Sequence, residues 1–300
     1  GRWVAFVSAA TNLVAGDTNA VDDVFLHHWP SGLTVRVSVA TSGGQSNGAS
    51  VAPSVSSGGR RVVFASDATN LVADDGNERR DVFLHDRENG QTLRVSTAAG
   101  TNGVGNANGH SDRPSIDDAG AIVAFQTLAT DIVSGVPASP HSQVLMFTLP
   151  EAEPALAADD GRVSAAVVNI GAAIRTLVST AGQSQPGNGH STAPQVAGDG
   201  GGSAFDSAAS NLVPGDTNGV PDVFVARVTG AGQAAAPVRV STDAAGNESG
   251  GASQAAALSG DAAVTAFESA AGLTPGTQTP VGTRVFVRAQ RLVVSRIVPD

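Results

Sequence analysis

One phrase dominates this chain. It runs Val4-Ala5-Phe6-Val7-Ser8-Ala9-Ala10-Thr11-Asn12-Leu13-Val14-Ala15-Gly16-Asp17-Thr18-Asn19, followed by Asp23-Val24-Phe25, and returns nearly unchanged from Phe205 through Asn211-Leu212-Val213 and Asp216-Thr217-Asn218 to Asp222-Val223-Phe224. A third copy runs from Val62-Val63-Phe64 through Asn70-Leu71-Val72 and Asp75-Gly76-Asn77 to Asp81-Val82-Phe83. Recurrence at a nearly fixed period means one small unit stacked many times, each copy covering the apolar face of its neighbour.

The strand anchors Phe6, Phe64, Phe125, Phe205 and Phe267 are 58, 61, 80 and 62 residues apart. Inside the longest interval, Asp160-Gly161-Arg162 and Ala165-Ala166 repeat the turn and strand start of Gly58-Gly59-Arg60 and Val63-Phe64, so six units are expected. Each full unit reads as four short strands. A Pro-led strand (Pro53-Ser54-Val55, Pro114-Ser115-Ile116, Pro194-Gln195-Val196) ends in a Gly-containing turn such as Gly58-Gly59 or Asp199-Gly200, which marks a tight hairpin. The Val-Ala-Phe strand, the Asp-Val-Phe strand and an Arg-Val-Ser strand (Arg36-Val37-Ser38, Arg94-Val95-Ser96, Arg239-Val240-Ser241) follow.

Apolar residues on both faces and no helical period describe blades that cover each other's faces radially. The expected fold is all-β: a six-bladed β-propeller of four antiparallel strands per blade, with the Pro-led strand innermost. Two blades are truncated. The expected boundaries are 1–52, 53–113, 114–153, 154–193, 194–253 and 254–300, within one domain. The chain opens in mid-repeat, without a Pro-led strand for its first blade, and so reads as an excerpt of a longer protein with a leader or anchor upstream.

Composition removes several functions. With no cysteine there is neither a disulfide nor a thiolate site, and a formal charge of −10 with no Arg cluster disfavours nucleic acid. No run of 18 apolar residues spans a bilayer. Aromatics are only 4 %, so the core must rest on Val, Leu, Ala and about one Phe per strand.

The stretch from Pro194 to Phe205, with Asp199-Gly200 at its turn, followed by Asp222-Val223-Phe224-Val225, resembles the WD40-like (PD40) repeats of the TolB-type propeller family. The Asn-Leu-Val-x-Gly-Asp-Thr-Asn insertion is similar to that of a bacterial secreted or envelope subset. The resemblance covers nearly the whole chain and implies a propeller outside the cytoplasm of a bacterium. A propeller hosts many unrelated functions, so it implies no activity.

Two recurrences are candidate sites. Asp17/Asn19/Asp23, Asp75/Asn77/Asp81 and Asp216/Asn218/Asp222 place oxygen ligands at the first, third and seventh positions of a Gly-containing loop, as calcium accepts. The twelfth position, where an EF-hand needs Glu, holds His28, Asp86 or Arg227, and the same residues equally make an Asx-type turn capping the next strand. The second recurrence precedes each innermost strand: Asn47-Gly48-Ala49-Ser50, Asn108-Gly109-His110-Ser111, Asn188-Gly189-His190-Ser191 and Gly250-Gly251-Ala252-Ser253. Ser50, His110, Ser111, His190, Ser191 and Ser253 are thereby placed at a channel mouth, where propellers bind ligands. The competing reading makes both histidines ordinary connector residues.

Catalytic signatures are missing. There is no Gly-x-Ser-x-Gly elbow and no His-Glu-x-x-His, and Gly103-Val104-Gly105 lacks the spacing and the helix of a dinucleotide loop. Asp22/Asp23, Asp74/Asp75, Asp117/Asp118 and Asp159/Asp160 mostly sit at repeat-equivalent turns. The sequence therefore points to a monomeric, non-catalytic binding or scaffold module for a protein, peptide or glycan, needing no cofactor. A lactonase-like hydrolase, a peptidase propeller domain and a calcium-stabilised surface repeat remain the alternatives.

Overall fold

The structure is a computed structural model and describes residues 1–150, 172–182, 184–228, 234–271, 273 and 282–289. In the Val-Ala-Phe and Asp-Val-Phe segments both residue parities are apolar, so these strands are stable only when covered on both sides. Five antiparallel sheets result, each a meander in chain order. They are β1 (Trp3–Ser8), β2 (Asp23–His28), β3 (Leu33–Arg36); then β4 (Ser50–Val55), β5 (Arg61–Ser66), β6 (Asp81–Asp86), β7 (Gln91–Arg94). The third sheet is β8 (Ser111–Ile116), β9 (Ile122–Thr127), β10 (Gln143–Thr148), β11 (Ile174–Leu177). Next come β12 (Ser191–Val196), β13 (Gly202–Ser207), β14 (Asp222–Arg227), β15 (Val238–Arg239), and last β16 (Ser253–Leu258), β17 (Val264–Ser269), β18 (Arg284–Ala289). The first strands β4, β8 and β12, each carrying a proline, and β16, with Ala256 in its place, touch one another in succession, and the second strand of each sheet packs on the first strand of the next. This is the radial arrangement of a β-propeller.

The described residues hold five sheets, not the six expected. Ile174–Leu177, which falls within the expected 154–193 blade, pairs with Leu145–Thr148 and completes the third sheet. The 154–193 blade thus loses its outer strand to its predecessor, while Asp160-Gly161-Arg162 and Ala165-Ala166 lie outside the described residues.

The seams repeat one design. One sheet offers small or branched residues (Val24, Leu26 and Val37 of the first), and the next offers Val62, Phe64, Phe83 and the insertion-loop residues Ala68 and Leu71, all buried. Phe64 and Phe83 stack at 5.9 Å, as do Phe205 and Phe224. Phe6 and Phe286 are only half-buried, because they belong to the first and last sheets.

Two main-chain features complete the frame. Each first strand of the four later sheets shifts register beside a residue in the left-handed region: Ala52 (φ 51), Arg113 (φ 50), Ala193 (φ 52) and Ala255 (φ 56). At the opposite end, the turn of each sheet donates to the next, Ser57 N to Asp118 O at 3.1 Å, Asp118 N to Gly198 O at 3.0 Å and Asp199 N to Gly260 O at 2.7 Å.

Candidate functional site

The acidic loops come first. In the second sheet, Ser96 Oγ donates to Asp81 Oδ1 at 2.5 Å and Asn77 Nδ2 donates to Asp81 Oδ2 at 2.9 Å. Arg94, reaching back from β7, lies 2.7 Å from Asp75 Oδ1 and 3.7 Å from Asp81 Oδ2. The same cage recurs with Arg36 on Asp17 (3.0 Å) and Asp23 (3.4 Å), and with Arg239 on Asp216 (3.3 Å), Asp222 (3.3 Å) and Glu248 (3.1 Å). Asn19 and Asn218 donate to Asp23 and Asp222 at 2.9 and 2.8 Å. The space between the first and seventh positions holds a guanidinium, and the asparagines turn their amide hydrogens toward the carboxylates. As placed, these residues do not fit calcium, which would have to displace the arginine. Burial raises Asp75, Asp81 and Asp216 above the usual carboxylate range even beside the arginines.

The third sheet supplies an internal control. Pro137, Ser139, Gln143 and Leu177 stand where the second sheet has Asp75, Asn77, Asp81 and Arg94. Gln143 keeps the capping function, accepting from Ser179 Oγ at 2.7 Å and donating to Gly187 O at 3.1 Å. Carboxylates and arginine are lost together, as expected if each is the other's partner.

The expected mouth residues divide into two groups. Ser50, Ser111, Ser191 and Ser253 are fully buried and pair at 2.9 Å with Ser66, Thr127, Ser207 and Ser269 across the first two strands. They close the blade and face no solvent, which corrects their assignment as ligand contacts. His110 and His190 are placed on the surface, but each Nδ1 accepts a backbone N–H from the preceding sheet, Arg80 at 2.9 Å and Ser142 at 3.1 Å. The Asn-Gly connectors are zipped to the insertion loops: Asn47 and Thr69 exchange bonds at 2.8 and 2.9 Å. Gly48 lies so close to Asp67 that a Cβ there would meet its carbonyl carbon at 2.6 Å. These recurrent residues build blades.

Polar residues that differ between blades occupy another layer, beside the left-handed bulges. The position after the anchor Phe is Val7, Ala65, Gln126, Asp206 and Glu268 in successive sheets, and the second and third residues of the first strands include Asp112, Arg113 and Gln254. Gln126 Oε1 accepts the N–H of Ala193 and Asp206 Oδ2 that of Ala255, both at 3.0 Å, so these side chains cross to the next blade at the bulge. Asp206 Oδ1 is buried without a partner, and burial raises the carboxyl to about 6, with the backbone N–H groups of Ala255 and Ala256 and then the Arg113 charge pulling it back. Arg113 itself is exposed on the innermost strand. Sequence reasoning passed over this layer because it sought what repeats; the signal was the one polar column that does not.

The layer offers a free carboxylate oxygen, a cation and amides. Among the described residues no three His, Cys, Asp or Glu side chains are grouped to hold a metal. A cavity of about 490 Å³ lies at the outer rim between Thr41, Leu71, Asp74, Leu93 and Val104. Thr41 already occupies the β7 edge there, accepting from Thr92 N at 3.0 Å.

No protein-family model matches this chain, and no curated protein sequence does. Among solved structures it is similar to TolB from Acinetobacter baumannii, at 14 % identity and TM-score 0.46 over 96 % of this chain and 50 % of that one. It is also similar to the β-propeller domain of the Trilobed protease from Pyrococcus furiosus, at 8 % identity and TM-score 0.47 over 96 % of this chain and 65 % of that one. An oligogalacturonate lyase in complex with manganese matches at 10 % identity and TM-score 0.48, over 92 % and 57 % of the two chains. The chain thus spans between half and two thirds of the length of these proteins. Such distant likenesses carry no activity across, and the fold rests on the sheets themselves.

Proposed function

We propose that this propeller is a non-catalytic binding module whose ligand is a peptide segment met at the axial layer of Asp112, Arg113, Gln126, Asp206, Gln254 and Glu268. One observation carries the reading. The polar residues shared by all blades are consumed in closing them, whereas the polar residues that change from blade to blade gather beside the bulges, with an unpartnered carboxylate oxygen and an exposed guanidinium among them. A peptide brings both a donor for Asp206 or Glu268 and an acceptor for Arg113, and the negative net charge favours a cationic one. A site outside the bacterial cytoplasm belongs to this reading through the repeat resemblance alone. No helix of the described residues is long and apolar enough to cross a membrane.

The test is a displayed random-peptide library panned in parallel on the parent protein and on an Arg113→Ala/Asp206→Asn variant, with a glycan array alongside. Peptides retained by the parent and weakened at least about tenfold by the substitutions, the loss of one or two charge-assisted bonds, are the expected result. Binders indifferent to both substitutions would refute the site, and glycans retained in place of peptides would refute the ligand class.

A further inference from the structure

Two departures from the repeat meet at one cavity. The connector from β7 to β8 spans 15 residues from Ser96 to Ser111, whereas Ser38 to Ser50, Ser179 to Ser191 and Ser241 to Ser253 are each 12 apart. The extra length passes through Asn102 and Gly103, both left-handed at φ 53 and 80, and carries Val104 outward, 67 % exposed. The loop is pinned nonetheless. Thr101 Oγ1 donates to Ala98 O at 2.6 Å and accepts from Gly105 N at 3.0 Å, and Val104 O accepts from Arg94 Nη2 at 3.0 Å. The second departure is Asp74. The other three described insertion loops have glycine there, Gly16 (φ 74), Gly135 (φ 75) and Gly215 (φ 74), and Asp74 keeps the left-handed conformation at φ 58, which is strained for an L residue. A Cβ built on any of those glycines meets nothing within 4 Å, so the position presents its side chain to open space and not to the blade. Among the described residues the Asp74 carboxylate has no hydrogen-bond or ion-pair partner.

Both residues line the cavity of about 490 Å³ at the outer rim between the first two sheets, a size within the range of small-molecule sites. Leu71, Val72 and Leu93 supply apolar lining, Val104 comes from one connector, and Thr41 and Ser42 come from the other. The second connector is fixed as well, since Thr41 Oγ1 donates to Thr92 O at 3.3 Å and accepts from Thr92 N at 3.0 Å. Of the two charged residues in the lining, Arg94 has a side chain only 2 % exposed and is held by Asp75 and Val104 O. Asp74 is therefore the charge that a ligand meets.

We infer that this cavity is a binding site for a small organic cation, an amine carried on an apolar body, with the ammonium group at Asp74 and the body against Val72, Leu93 and Val104. Charge selects the class. A neutral apolar molecule would desolvate Asp74 without compensation, and an anion would meet like charge on a chain of net charge −10. A divalent metal lacks ligands, because among the described residues no three His, Cys, Asp or Glu side chains are grouped to hold one. A wholly polar amine leaves the apolar lining unused. No residue of the axial layer takes part, so this site and the axial peptide site can fail independently.

The probe is 4-phenylbutylamine, followed by amide shifts in ¹H–¹⁵N spectra of the labelled protein. Beside it run 4-phenylbutanol, 4-phenylbutyrate, spermidine and the capped tripeptide acetyl-Gly-Lys-Gly-amide. Saturable shifts centred on residues 40–42, 70–74, 92–94 and 103–104 are expected for the phenyl amine, with each of the others at least about tenfold weaker. Asp74→Gly restores the residue of the other loops, so the variant should melt no lower than the parent. It should nevertheless weaken the amine at least about tenfold, to the level of the alcohol, through loss of one charge-assisted bond. Val104→Ser, at an exposed position, should weaken amine and alcohol alike, and Asp206→Asn should leave both unchanged. No saturable shift from the amine at millimolar concentration, an amine no tighter than the alcohol, shifts centred elsewhere, or binding indifferent to Asp74→Gly would overturn the inference. So would a lowered melting temperature of Asp74→Gly, which would make the carboxylate a structural group. A tripeptide as tight as the amine would refute the small-molecule class and assign the cavity to a lysine side chain of a protein partner.

Discussion

Changing Arg94 to leucine isolates the energetics of the arginine cage. The side chains of Arg94, Asp75 and Asp81 are 2, 2 and 0 % exposed, so the substitution leaves two buried carboxylates without a cation. Breaking such a pair from one side costs about 3–5 kcal/mol. Protonation sets the upper limit: neutralising one carboxyl of ordinary pKa at pH 7 costs about 1.4 kcal/mol for each of roughly three pH units. The sign follows. Both carboxyls have folded pKa values raised above the unfolded ones, so the stability tied to their protonated forms is fully present below the unfolded value and is lost as pH rises through the folded one. The Arg94→Leu deficit therefore shrinks on acidification from pH 7 toward pH 4, by up to about 1.4 kcal/mol per pH unit for each proton taken up. Adding Asp75→Ala and Asp81→Gln copies the neutral cage of the third sheet and should recover all but about 1 kcal/mol. Urea unfolding serves as the assay, with fluorescence from Trp3, which stacks on His28 at 4.2 Å beside the first seam, as its signal. A single variant within 1 kcal/mol of the parent, or a triple variant no better than the single, would refute the reasoning.

Calorimetry in millimolar CaCl₂ against EGTA should show no shift in melting temperature; a rise that is lost in Asp216→Asn/Asp222→Asn would restore calcium to those loops. For Asp206, raised to about 6, the stability of the protonated form is complete below about pH 4 and lost as pH passes 6. Asp206→Asn keeps an acceptor for Ala255 N and should abolish that limb of the stability profile, a gain of roughly 2–3 kcal/mol at pH 7 that vanishes at pH 4. Phe64→Ala, at a fully buried position, should cost about 3–5 kcal/mol, whereas Phe6→Ala on the half-covered first sheet should cost less than half as much; equal losses in a denaturant series would contradict the seam assignment.

The strands were legible because the repeat restates its pattern: Phe64 and Phe205 lie at the same register in their sheets, each opposite the phenylalanine of the next strand. Among the described residues there are five sheets where spacing alone suggested six, because spacing along the chain does not say which strand pairs with which, and Ile174–Leu177 pairs with Leu145–Thr148. The acidic loops show the same gap between sequence spacing and spatial neighbours. Asp75 and Asp81 look like a ligand set until Arg94, 13 residues beyond Asp81 in sequence, is seen to lie between them. Ser50 and Ser111 invited a reading as mouth residues because the sequence shows that a serine recurs, but not that it points into the blade. The axial layer was hidden by the search for recurrence, although Gln126, Asp206 and Glu268 stand in a column where neighbouring columns hardly vary.

The turn-to-turn bonds from Ser57 to Asp118 and from there through Gly198 and Asp199 to Gly260 join main chain to main chain. No side chain is needed for them, so no single substitution other than one to proline at a donor deletes one, and a copied unit arrives with its coupling to both neighbours already in place. A gene can therefore lengthen or shorten such an array by whole units while its surface columns drift independently. That is the freedom recorded in a chain whose blades share their anchor Phe and closing Ser or Thr yet differ at the position between them.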